Sequence, residues 1–150
     1  MRALAAGGVT AARYCAAMSQ ENVETLRSFY EGLNTTGEAP TELFHDDVEI
    51  HMFEGSLFSG PYRGLDGLRR WREDSFDVLE DWGLLLDEVI TGDDPNVIVV
   101  TNRFVGRARH TNLIADFRLT VVVRFRDGLI VRFEGHRERV EALAAAGLGE

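Results

Sequence analysis

Between residues 22 and 33, Val23, Leu26, Phe29, Tyr30 and Leu33 recur at spacings of three and four, so a helix gathers them into one apolar stripe. Gly37 and Pro40 break that period. A short helical turn is expected through Leu43-Phe44. His45-Asp46-Asp47 then leads into a strand over 48–53, with Val48, Ile50 and Met52 on one face and Glu49, His51 and Phe53 on the other. Residues 54–63, rich in glycine and serine, read as a loop. Gly64-Leu65-Asp66-Gly67 opens a second helix through Leu68, Trp71, Phe76 and Leu79.

The remainder reads mostly as strand, over 82–90, 96–105, 115–125 and 129–135. The first two are separated by the turn Thr91-Gly92-Asp93-Asp94-Pro95, and the last two meet at Asp127-Gly128, a strong hairpin signal. Residues 139–148 end the chain as a short alanine-rich helix with Gly147 at its cap. Helical elements early and strands in series afterwards describe an α+β domain rather than an alternating βαβ chain. No internal repeat or linker interrupts it.

Composition narrows the class. A chain of 150 residues, 45% hydrophobic with three prolines, is long enough to bury roughly two-thirds of its unfolded surface and is not disordered. The single cysteine, Cys15, excludes an intrachain disulfide. Sixteen basic against 25 acidic residues give a charge of -9, which argues against a nucleic-acid partner or an anionic membrane surface. No run of eighteen apolar residues offers a membrane span, and a cytoplasmic protein is expected.

The start of the chain has a leader-like flavour, but Gly7, Gly8, Thr10 and Arg13 interrupt any signal-peptide core. Met18 followed by Ser19-Gln20-Glu21-Asn22 reads as a natural start, with Ser19 as helix N-cap. Residues 1–18 are therefore expected to be a flexible extension before a single domain over 19–150. Without residues 1–17, which carry Arg2 and Arg13 and no acid, the charge becomes -11.

Three stretches carry a resemblance: Phe29-Tyr30-Glu31-Gly32-Leu33-Asn34, the run from Glu42 to His51, and Tyr62-Arg63-Gly64-Leu65-Asp66-Gly67 leading to Trp71. With the hairpin from Phe125 to Phe133 and the alanine-rich tail, their order resembles the SnoaL-like branch of the nuclear transport factor 2-like superfamily. The resemblance implies a cone-shaped, curved mixed β-sheet packed against about three α-helices and enclosing a pocket, often as a homodimer through the outer sheet face. Relatives include ketosteroid isomerase and polyketide cyclases, and others have no known catalysis, so fold alone selects no reaction.

In the isomerase pattern a helix tyrosine and two aspartates do the chemistry. Tyr30 matches the tyrosine, whereas Val121 stands at one aspartate position and His51-Met52 at the other. The candidate catalytic residues are thus Tyr30, to stabilise negative charge on oxygen, and His51, to move a proton with Glu49 or Glu54 orienting it. Beside each stands a plain reading: Tyr30 as a core ring with a satisfied hydroxyl, and His51 as a solvated strand histidine.

Trp71, Phe117, Val121, Phe133 and Gly135 are the candidate substrate-binding residues, with Gly135 leaving room for a ligand. Phe117, Leu119, Val121, Val123 and Phe125 share one strand face; if it lines the cone, the pocket suits a small apolar organic molecule. Arg103, Arg107, Arg109 and His110 form a basic patch, either a mouth for anions or a solvated hairpin tip. His45, His51, His110 and His136 are too scattered for a metal, and no phosphate-binding glycine loop occurs, so no cofactor is expected. The sequence reads as a small-molecule pocket protein: either a cofactor-independent isomerase, cyclase, dehydratase or hydrolase, or a non-catalytic ligand-binding or dimeric accessory protein.

Overall fold

The computed structural model describes residues 2–53, 55–56 and 60–149, with side chains from residue 16 onward. Its elements are α1 (Arg2–Thr36), a 3-10 turn (Thr41–Leu43), β1 (Phe44–His51), β2 (Tyr62–Arg63), α2 (Gly64–Phe76), β3 (Leu79–Thr91), β4 (Val97–Ala108), β5 (Ile114–Arg126), β6 (Leu129–His136) and α3 (Arg139–Ala145). The strands make one mixed sheet in the order β2-β1-β6-β5-β4-β3. Only β1 and β6 run parallel. The α+β cone expected from the sequence is the architecture found.

Local chemistry explains how the sheet curls. Asp127 and Gly128 both take positive φ, 54° and 79°, as the tight β5–β6 hairpin requires. β4 and β5 pair without interruption from Val97↔Arg124 to Arg107↔Ile114. β3 instead breaks register between Glu80 and Gly83 and again between Leu86 and Glu88, with Asp81 at φ 53°. Such bulges bend a strand and increase its twist. The edge of the sheet is thereby drawn around the helices.

The inner face carries the main core. Leu26, Phe29 and Leu33 of α1 and Leu68 and Phe76 of α2 pack on Val48, Ile50, Ile98, Val100, Val121 and Val123 of the sheet. Phe29 sits edge-on to Phe44, with ring centroids 5.4 Å apart, and lies 5.5 Å from Phe133. Burying each such ring contributes roughly 1.5–3 kcal/mol. A smaller cluster lies on the opposite face, where Ala142 of α3 covers Val99 and Val122. Two helices therefore line the inside and one short helix lies outside.

Several boundaries differ from expectation. Ser19 is not an N-cap, because α1 runs continuously through it from Arg2. The alanines upstream favour helix strongly enough to carry the period past Ser19. Residues 2–18, expected as a flexible extension, lie within α1; among its described side chains the first buried one is Asn22, which donates to the Pro95 carbonyl at 2.8 Å. Leu79 belongs to β3, since α2 ends at Phe76. Tyr62-Arg63, placed in a loop by composition, pairs with Glu49-Ile50 as an edge strand.

Candidate ligand cavity

The inner face does not pack completely. A cavity of about 480 Å³ remains between α2, the segment after β1 and the inner side of β3–β5. Trp71 and Ser75 come from α2, Leu79 and Leu84 from β3, Asn102 and Phe104 from β4, and Ala115, Phe117 and Leu119 from β5. Val78 and the segment through Met52, Phe53, Gly55 and Ser56 complete the described wall. None of these lining residues carries an ionisable side chain.

An aromatic column from the core runs out to one wall at Phe104 and Phe117. Trp82 lies 4.1 Å from Phe76, Phe76 stacks on Phe104 at 4.9 Å, and Phe104 stacks on Phe117 at 5.0 Å. The Phe104–Phe117 contact is a direct cross-strand pair. The column ends at Phe117, which is 51% exposed. An apolar ring left half open at a cavity mouth provides surface for a ligand to cover.

Asn102 is the buried polar residue of the wall, which also carries the half-buried Ser56 and Ser75. Alternation along β4 puts Ile98, Val100, Asn102 and Phe104 on the inner face, and Asn102 is buried there. The Tyr30 hydroxyl donates to its Oδ1. Burial raises the Tyr30 pKa well above the ordinary phenol value, outweighing the opposite influence of the Asn102 contact. Tyr30 therefore stays a neutral donor. Its position along α1 is fixed by Asn34, whose amide donates to the Tyr30 and Leu84 carbonyls at 2.8 Å while its Oδ1 accepts from the Leu84 N–H at 2.9 Å.

The sequence candidates fall in different places. Trp71 and Phe117 line the cavity. Tyr30 stands behind Asn102, with its hydroxyl committed. Val121 and Phe133 are buried in the main core, and Phe133 packs against Phe29 and Phe44. Met52 occupies the space that the missing side chain of Gly135 leaves. Asn102 escaped the sequence reading. Its signal was one amide in the apolar alternation Ile98-Val100-Asn102-Phe104.

His51 lies on the other side of the sheet. Its strand neighbour Ile50 points into the core, while His51 shares an outer cluster with Glu49, Arg132 and Glu134. The His51 Nε2 lies 2.7 Å from Glu49 Oε1, and this hydrogen bond is the main reason the Glu49 carboxyl ionises below its ordinary value. The sheet lies between His51 and Tyr30. Glu54, the other expected partner of His51, lies outside the described residues.

The basic patch is not a free cationic mouth. Arg103 makes two bonds to Asp116 at 2.9 and 2.8 Å, Arg107 reaches Glu80 and Asp81 at 3.0 Å each, and Arg109 donates to the Asp77 carbonyl at 2.9 Å. Among the described residues, no three potential ligands gather around a metal position. No described helix is long and apolar enough to cross a membrane.

These features define an α+β cone with a largely apolar cavity on its inner face. The chain matches the SnoaL-like domain over residues 11–133 and belongs to that family. No curated protein matches the sequence. Among solved structures it is similar to Bal32a, from a soil-derived mobile gene cassette: 20% identity, TM-score 0.71, covering 86% of this chain and 98% of that one. TerC, co-crystallised with polyporic acid, is 22% identical with a TM-score of 0.66, covering 81% and 94% of the two chains. Delta 5-3-ketosteroid isomerase from Mycobacterium sp. is 15% identical with a TM-score of 0.63, covering 81% and 95%. At these identities the likeness shows the fold.

Proposed function

We propose that the protein binds a small, largely apolar organic molecule in the inner cavity and works as a ligand-binding protein rather than an acid–base enzyme. The observation that carries this reading is the wall itself: a volume of about 480 Å³, open at Phe117 and aromatic on one side, with no ionisable group among its described residues. Burial of apolar ligand surface supplies the affinity, at about 25 cal/mol per Å² before the costs of association. Acid–base catalysis needs a titrating group within hydrogen-bond reach of the ligand. Tyr30 is held neutral behind Asn102, and His51 faces the opposite side of the sheet. The co-crystallisation of TerC with polyporic acid supports the same class of occupant, an organic molecule of modest size.

The homodimer belongs to this reading as the assembly through the outer sheet face, where Leu85 is 43% exposed. Sedimentation of the protein as a monomer would remove that part alone. Ligand binding is tested by titrating 2-ethylnaphthalene, a neutral apolar probe, into a Trp82→Phe variant, in which Trp71 is the remaining tryptophan. Saturable one-site quenching of Trp71 is expected. A fluorescence trace that never departs from the solvent control would overturn the reading.

A further inference from the structure

Asn102 is a buried amide on a face that is otherwise apolar, and placing it there is costly unless both ends of the amide are used. One end is used: Oδ1 accepts the Tyr30 O–H. With Oδ1 facing the Tyr30 hydroxyl, the NH2 group is turned away from Tyr30. Asn102 lines the cavity, whereas Tyr30 does not. Among the described residues no hydrogen bond engages Asn102 Nδ2. Nor is Nδ2 one of the shielded orphan atoms, which are Arg132 Nε and His136 Nε2.

We infer that Asn102 Nδ2 is the recognition donor of the cavity, oriented by Tyr30 as a positioning residue, and that it selects uncharged ligands bearing a hydrogen-bond acceptor oxygen, such as a ketone. This rests on the cavity-binding reading above and names the substrate chemistry of that same site. The selectivity has two sides. A neutral carbonyl exchanges a bond to water for one to a preorganised N–H. A carboxylate at the same depth loses its hydration against a wall with no described cation to replace it. The site therefore discriminates by what it lacks as well as by the donor it holds.

Three naphthalenes of similar size separate these effects: 2-ethylnaphthalene, 2-acetylnaphthalene and 2-naphthoate, each titrated by calorimetry into the full chain. One hydrogen bond predicts that the acetyl compound binds about five- to tenfold more tightly than the ethyl compound. The naphthoate is expected to bind most weakly. Asn102→Leu should bring the acetyl-to-ethyl ratio to about one. Tyr30→Phe should lower the ratio as well, because the amide loses its orienting donor; lost packing alone would weaken both probes together. Equal affinity for acetyl and ethyl compounds in the unmodified protein, with both binding, would overturn the inference and leave the cavity reading intact. So would a ratio that survives Asn102→Leu. Binding of neither neutral probe would overturn the cavity reading and this inference with it.

Discussion

The Tyr30 hydroxyl reaches across 72 positions of sequence to donate to the Asn102 amide oxygen, joining α1 to the inner face of β4 behind the cavity wall. Both partners are buried, at 4% and 7% exposure. That makes the pair the polar fixed point of an apolar interior.

Removing either partner leaves the other unsatisfied. Tyr30→Phe and Asn102→Leu should each cost about 1–3 kcal/mol of stability. The double variant should cost less than their sum, because the second change removes a group already orphaned by the first. Urea unfolding of the four proteins measures the coupling. Strict additivity would show that the bond contributes nothing.

Alkaline pH reports the same burial. The unfolded chain's phenols ionise near 10.0, whereas burial raises Tyr30 far above that and pushes Tyr62 up to about 12, with Asp74 adding to the shift. As pH rises past 10.0 the unfolded chain releases protons that the folded chain keeps. Stability is therefore fully present below that point and declines above it, by about 1.4 kcal/mol per pH unit for each phenol still protonated in the fold. All sixteen basic side chains are arginine, so no lysine titration obscures the limb. The decline should be shallower in Tyr30→Phe, as read from urea midpoints at several alkaline pH values.

Much of the fold was legible because its signals are local. The 3-4 stripe of α1, the alternation of β1 and the Asp127-Gly128 turn each declare themselves within a few residues. The two-residue strand Tyr62-Arg63 did not, since its only warrant is pairing with Glu49-Ile50 across a loop. The site was legible in part for the same reason. Trp71 and Phe117 follow from faces, but which polar groups meet depends on sheet curvature, and β3 acquires that curvature at bulges its sequence does not announce. That His51 and Tyr30 lie on opposite sides of the sheet was not legible, because alternation defines two faces without saying which one is inside.

Gly135 supports the cavity indirectly. A side chain there meets Met52, which itself lines the cavity. Gly135→Ala should destabilise by about 1–3 kcal/mol through overpacking and weaken 2-ethylnaphthalene binding as Met52 is displaced. Thermal unfolding and calorimetry read the two effects separately. An unchanged melting temperature would contradict the packing described for this glycine.

His51→Ala isolates the outer face. Losing the 2.7 Å contact should let the Glu49 carboxyl rise back towards its ordinary value of 4.5, which carboxyl chemical shifts followed through acid pH would show. Affinity for 2-ethylnaphthalene should stay within about twofold, since the imidazole makes no part of the described wall. A large loss of affinity would place the ligand on the wrong side of the sheet.

The most direct measurement is a crystal structure of the protein with 2-acetylnaphthalene. The account predicts the ring system between Trp71 and Phe117, with the ketone oxygen within about 3.2 Å of Asn102 Nδ2 and the Tyr30–Asn102 bond retained. A probe bound only outside the cone, beside His51 and Glu49, or an interior whose own side chains close over the cavity, would contradict it.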